Sequence, residues 1–459
     1  MSASARSRLQ VLLPTLLVLG SVGTACAADR FVATTGSDAA NDCSLATSPC
    51  HTLQHALDVA ENGDTIKIAK GHYATMVAIT APPTVAVTIE GGWSADFASR
   101  DLQKNATMFR GGQPGTAPLT LYAGSGGVID LTLDGATVTN GENGGIAATA
   151  QDGGMVTLNI SNDVIRANKT SIYPGGGGIL AIARGTGSLQ LAVTDSTLQG
   201  NRAKHRPEGT GGPSGGISAI AFEESSLDLT VARSLFRQNR SESLGGGAIT
   251  VFASSTGTTH VSVTNTTIVQ NKASHSGGGG LEIDSGSSGP VTIDVSNTLF
   301  GGNKASVGAG GGLLVDASFS TSTTLRVTNC TVADNFAPEG GGGIALVSIP
   351  TTLTNTVAWG NHVHGSMLAG NDLNASSSVV DLDHDDIGVS FNNSGTFNDL
   401  GGNLNADPLL AHPPKDLHLT TGSPCIDTGT CAGAPTTDFE GDPRPSGAGC
   451  DIGADEFVP

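Results

Sequence analysis

From about Val128 to Trp359 one arrangement recurs: an Asn, a short variable loop, a run of Gly, then an aliphatic residue. Asn168 leads to Ile179, Asn201 to Ile217, Asn239 to Ile249, Asn271 to Leu281, Asn303 to Leu313 and Asn335 to Ile344. From Asn239 the spacing holds at 32 residues for three successive steps, and Asn140 and Asn361 read as degenerate ends. A period of this size means a solenoid, in which each turn buries its apolar face only against its neighbours. Between the markers lie short β-branched runs such as VSVTNTTIVQN and LRVTNCTVADN, with alternating apolar positions and no helical period. Leucine-rich, ankyrin and tetratricopeptide arrays are therefore excluded. Short strands stacking on their own copies at about 4.8 Å make a parallel β-helix. The Asn column is expected to be a structural ladder (Asn168, Asn201, Asn239, Asn271, Asn303, Asn335), each amide bonding the next coil. Its Asn is expected to carry the left-handed backbone of the corner, with the Gly runs serving the same end.

Composition agrees. Gly numbers 65 without a three-residue period, aromatics are 4% and charged residues 14%. These values argue against a collagen, a coiled coil or a helical enzyme. The net charge of −19 argues against nucleic acid as a partner.

Four regions are expected: a signal peptide at 1–27, an N-terminal cap with the first coils at 28–127, repeat coils at 128–361, and last coils with a C-terminal cap at 362–459. Arg6 and Arg8 precede the apolar run Leu9–Leu19, and Ala25-Cys26-Ala27 forms a cleavage site. That run is too short to span a bilayer, which needs about 20 apolar residues. Export to the periplasm, cell surface or medium is expected, with a lipoprotein built on Cys26 as a minor alternative. After cleavage six Cys remain, an even count that favours disulfides in an exported chain. Cys43–Cys50 and Cys431–Cys450 are the expected pairs, while Cys330 and Cys425 leave a third bond open. The segment LQHALDVA (Leu53–Ala60) reads as a short amphipathic helix covering the open end of the core, with the strand Thr65–Ala69 starting the coils. Beyond Gly401 the chain turns Pro/Gly-rich and is expected to form an irregular cap.

The stretch Asp42–Tyr73 resembles the N-terminal coil of bacterial right-handed β-helix proteins of the pectin-lyase-like fold, and Gly91–Asp101 resembles a recurrent stretch there. The repeats resemble those of polymorphic outer-membrane proteins, with GGAI at Gly246–Ile249 and FxxN at Phe236–Asn239 and Phe300–Asn303. NADPLL (Asn405–Leu410), SPCIDTG (Ser423–Gly429) and the stretch Asp438–Phe457 resemble the C-terminal region of the choice-of-anchor Q group. These resemblances imply an exported bacterial protein with one right-handed parallel β-helix, an all-β fold with a helical N-terminal cap. They imply no particular reaction, because the fold hosts lyases, hydrolases, epimerases and adhesins alike.

Three constellations carry candidate chemistry. If Ile249, Leu281 and Leu313 point inward together, Glu282, Asp284 and Asp316 point out, with Asp284 and Asp316 on neighbouring rungs. Stacked carboxylates repel, which invites a shared Ca²⁺ or a sugar; the alternative is a solvated acidic face. Asp381, Asp383 and Asp385 resemble the start of a calcium loop, but Asp386 stands where such a loop needs Gly. Strand residues are the alternative there. Lys169, Arg202, Arg240, Lys272 and Lys304 follow the Asn ladder as a cationic file that could track an anionic polysaccharide, or pair with Glu208 and Glu242 instead. Ca²⁺ is the one cofactor these residues suggest. Polygalacturonase, pectate-lyase and epimerase signatures do not occur. The leading expectation is thus a monomeric, non-enzymatic surface or adhesin-like module that binds carbohydrate or protein and does not span a membrane. The alternative is a polysaccharide lyase acting on uronate polymers.

Overall fold

The computed structural model describes residues 27–74, 76–111, 115–172, 174–204, 214–243, 245–320, 322–364 and 371–459. Cys26, most of the expected signal peptide and Glu208 lie outside the described residues. The chain forms a right-handed parallel β-helix. Each complete coil visits four sheets in turn: a thirteen-stranded sheet I, an eleven-stranded sheet II, a seven-stranded sheet III of two-residue strands, and an eleven-stranded sheet IV. One coil illustrates the path, with Ser188–Thr194 in sheet I, Thr197–Gln199 in II, Arg202–Ala203 in III and Ile217–Glu223 in IV. Long loops join III to IV, and short turns make the other corners. Inward positions such as Leu191, Leu198, Phe236, Phe300, Ile249 and Leu313 are buried in one continuous apolar core. Because every strand pairs with its own copy, the alternating runs of the sequence suffice to fix which residue faces in.

The sheet begins earlier than the sequence suggested. Asp29–Val32 pairs in parallel with Thr65–Ala69, so the coils start before the helix rather than after it. The helix Leu53–Val59 is capped by Thr52, whose hydroxyl accepts from the His55 N–H, and it buries Leu53 and Ala56 over the open end of the core. Cys43–Cys50 and Cys431–Cys450 are both bonded, with Cα separations of 5.1 and 5.3 Å. Cys330 and Cys425 are free and buried, so the third bond left open by the sequence does not form.

The Asn ladder is present and runs one rung further than expected. Each Nδ2 donates to the Oδ1 of the next Asn at 2.9–3.1 Å, from Asn168 through Asn335 to Asn361. Asn361 then donates to the Asp372 carboxylate, which closes the ladder with an acceptor that also takes the Val389 N–H. The backbone reason given for the Asn is corrected, however. The left-handed residue is the one before it: Ala167, Gln238, Gln270 and Asp334 have φ between 54° and 57°, whereas the ladder residues do not have positive φ. Asn does occupy left-handed positions at the sheet I–II corner, as Asn162, Asn265, Asn297, Asn329 and Asn355. The Gly runs likewise serve close approach more than unusual φ. A Cβ on Gly247 would lie 2.2 Å from the Gly279 carbonyl and 2.5 Å from the Lys272 nitrogen.

The C-terminal segment is irregular, as expected, yet it does more than close the end. From Leu410 it folds back along the outer face of sheet II. Leu417 and Ala454 pack on Leu299 and Ala333, and Leu419, Cys425 and Ile452 pack on Val357. Corner asparagines hold its backbone: Asn297 donates to the Thr437 carbonyl, Asn329 to Asp451 and Gly453, and Asn355 to Thr430. Within the segment Arg444 and Glu456, 0% and 1% exposed, pair at 2.9 Å.

Candidate carbohydrate-binding surfaces

The carboxylates of sheet IV follow the register read from the sequence. Leu281 and Leu313 are buried in the core, and Asp284 pairs with Asp316 on adjacent strands. Glu282 also leaves the coil outward, beside Thr250 and Leu314, but it does not reach solvent. It is 2% exposed. The loop preceding its strand packs over it: the Ser276 hydroxyl donates to Glu282 Oε1, and Gly278 lies so close that a Cβ there would sit 2.4 Å from the Glu282 Cβ. Glu282 Oε2 has no hydrogen-bond partner among the described residues. Burial, reinforced by the charge of Asp284, raises the Glu282 carboxyl well above the usual carboxylate range. Burial and then Asp316 push Asp284 up to about 6. Next to the pair the same face turns apolar, with Phe252 in register with Asp284 and its ring 5.9 Å from that of Phe222.

The second acidic set separates. Asp381 accepts from Asn398 at 2.7 Å on the outer face of sheet I, and Asp383 pairs with His384. Asp385 turns inward at the corner, fully buried, and accepts the N–H groups of Thr356 and Asp383. There it ends a column of inward hydroxyls that includes Ser196, Ser234 and Thr356. Burial raises its carboxyl. Among the described residues, the one group of three or more potential metal donors whose atoms lie within 4.8 Å of each other is Cys43, Cys50 and His55, and those two sulfurs are bonded together. Neither carboxylate set is a preformed Ca²⁺ cage, because hard cations need oxygens at about 2.3–2.6 Å.

The cationic file is the constellation that the fold assembles. Lys169, Arg202, Arg240, Lys272 and Lys304 occupy one column of sheet III in continuous register, followed by Phe336 and His362. Adjacent like charges about 4.8 Å apart repel. Part of that repulsion is offset on the protein: Lys169 pairs with Glu142 at 2.7 Å, Arg240 with Glu242 at 3.0 Å, and Arg202 with the same Glu242. Lys304 sits 4.6 Å from the Phe336 ring centroid. For Arg202 and Arg240 the alternative reading, pairing with Glu242, is thus found, and one carboxylate serves two guanidinium groups.

Sequence reading missed a second basic column three residues upstream. Arg110, Arg166 and Arg237 face out from sheet II, with Thr139 and Gln199 between them in register. The signal was present as RANK and RQNR, where an Arg stands two residues before the ladder Asn. By contrast the outer face of sheet I carries Asp130, Asp134, Asp228, Asp294 and Asp381.

No helix among the described residues is long and apolar enough to cross a membrane. No protein-family model matches the sequence. A search of curated proteins also gives no match. Among solved structures the chain is similar to the pectate lyase Pel9A, at 13% identity and a TM-score of 0.52, over 95% of this chain and 97% of that one. Similarity at that identity establishes the parallel β-helix and leaves the chemistry to be argued from the site.

Proposed function

We propose that this protein is an exported, non-enzymatic β-helix that binds carbohydrate on its outer surface. The observation that carries the reading is the in-register column of five cations on sheet III. Fixed strand spacing holds those charges in a row before any ligand arrives, so little ordering entropy is lost on binding. Two disulfides fit an oxidising compartment outside the cytosol.

The lyase alternative needs a base and a carboxylate set facing one groove. Here the cations belong to sheet III and the carboxylates to sheet IV, with the loop that carries Ser276 and Gly278 packed over Glu282 between them. That arrangement supports binding without turnover. The reading is tested by retention on immobilised acidic and neutral polysaccharides, with absorbance near 235 nm followed in the same samples. Retention on the acidic matrix without new absorbance is the expected result. A steady rise, from the double bond that β-elimination leaves, would replace binding with lyase activity.

A further inference from the structure

The two basic columns lie on either side of the Asn corner, and together they define a path. On sheet II, Arg110, Arg166 and Arg237 recur at every second coil, all exposed. On sheet III, Lys169 to Lys304 recur at every coil. Within one coil Arg166 and Lys169, and likewise Arg237 and Arg240, are three residues apart across the corner. The outward positions of these sheet II strands carry no acid: the other residues are Thr137, Val164, Thr197, Leu235 and Thr267 or uncharged members of the Arg column. Among the described residues, the acids that pair with these eight cations are Glu142 and Glu242.

The path also has an end. At Gly301, the position in register with Val269 one coil beyond Arg237, the C-terminal segment lands on sheet II: a Cβ there would meet the Pro414 carbonyl at 3.1 Å and Leu417 at 3.3 Å. From that coil onward only sheet III remains open, and its last cation, Lys304, is in the same coil as Gly301. From the Arg110 coil to the Lys304 coil the strand spacing gives about 29 Å.

We infer that a linear acidic polysaccharide lies along the helix axis in this track, starting against the sheet II arginines and ending against the sheet III lysines. The inference rests on the carbohydrate-binding reading above and adds the ligand's charge, its orientation and the length engaged. A polysaccharide fits better than a nucleic acid for two reasons. Charges on each strand of a duplex recur every 3.4 Å or so along its axis, out of step with coils about 4.8 Å apart, whereas successive linked sugar rings advance by a length comparable to a coil. Among the described residues no exposed aromatic row accompanies the cations, as base stacking would require.

The test is titration calorimetry of the full chain with oligouronates of increasing length, a sulfated oligosaccharide series and single-stranded DNA of matched charge. Affinity should climb with length until an oligomer spans the track, then level off. Arg166→Gln and Arg237→Gln should each weaken the longer oligomers about five-fold and flatten the salt dependence, leaving the shortest ones nearly unchanged. Arg326→Gln, on sheet I, should have no effect and serves as the control. Whichever acidic series binds more tightly identifies the anionic substituent. Binding that ignores length or both Arg variants, while remaining specific for acidic sugars, overturns the axial track and leaves carbohydrate binding standing. DNA bound as tightly as the sugars overturns the ligand assignment. Absence of binding to every acidic sugar overturns both.

Discussion

One flank of this β-helix exists in two versions. In the coils before Leu299, sheet II presents Arg110, Arg166, Gln199 and Arg237 to solvent. In the coils after it, the same columns hold Leu299, Gly301, Ala333 and Val357, and the C-terminal segment lies on them. Inward columns do not change across this boundary: Ile165, Leu198, Phe236, Phe300 and Val332 continue without a break. The coil backbone is therefore indifferent to what stands outside it. What differs is the covering, and each outward residue matches its own. A solenoid can in this way carry a binding track and a docking seat for its own tail on one continuous sheet.

The comparison breaks most completely if the tail is released. Arg444 donates to Glu456 and to the carbonyls of Asp451, Gly453 and Ala454 with its side chain wholly buried. Arg444→Met leaves Glu456 buried without its cation, a loss of about 4 kcal/mol concentrated in the segment. Trp359, packed at the segment's edge, should then shift its fluorescence to the red while the coils keep their far-ultraviolet circular dichroism. Coil and tail unfolding in a single step would show that the seat is part of the coil core and that the two versions are not separable.

The ladder tests the opposite side of the comparison, because it runs beneath both versions. Asn201 and Asn303 make equivalent bonds: each donates to a carbonyl of the preceding coil at 2.8 Å and to the next Asn at 3.0 Å. Each also accepts from the Asn one coil earlier. Replacing either by Ala strands several buried polar groups, at a cost of about 3 kcal/mol. Equal costs in urea unfolding are expected. A much larger loss at Asn303 would mean that the tail supports the coil beneath it.

These contrasts also show what the sequence could and could not disclose. Inward residues and the ladder were legible because a fixed coil period ties sequence position to one side of the wall. Both disulfides were legible for another reason, an even Cys count in a chain read as exported, with each pair close in sequence. Glu282 was read as outward, which is correct for its strand, yet its burial depends on Ser276 and Gly278 folding over it. Loop conformation has no period and leaves no such trace. The tail's route was equally hidden, since its contacts join residues such as Asn297 and Thr437 across 140 positions. Asp385 followed the same rule as Glu282: a D-x-D-x-D spacing does not reveal that a corner intervenes and turns the third carboxylate inward.

Exchanging outward residues between the two versions makes a smaller perturbation. Leu235 and Leu299 share a column, two coils apart, with Thr267 between them. Leu235→Lys adds a cation to an open basic face and should alter stability by no more than about 0.5 kcal/mol. Leu299→Lys places the charge under Leu417 and Ala454. Its stem can snorkel toward the segment's edge, which limits the cost to about 2 kcal/mol. Thermal unfolding of the two variants side by side gives the difference, and equal effects would mean that the segment does not seal this face.

The smallest effect lies on sheet IV, where covering acts on charge instead of on apolar surface. Asp284 has its pKa raised from 3.8 to about 6 by burial and by Asp316. A raised carboxyl binds its proton more tightly in the folded state than in the unfolded one, so this group favours folding most below pH 4 or so. That contribution falls as pH rises through the interval up to about 6 and stays lost above it. Asp284→Asn removes the loss and should stabilise the protein at pH 7 by on the order of 1 to 2 kcal/mol, flattening the stability profile across the same interval. Asp451 and Asp455 in the tail are also raised to about 6, and Glu282 and Asp385 in the coils are raised as well, so some slope must survive in the variant. The part of that remaining slope that disappears when Arg444→Met is added belongs to the tail. The pH profile then separates the acid held by the coil from the acids held by the segment, which is the same division that the two versions of sheet II show.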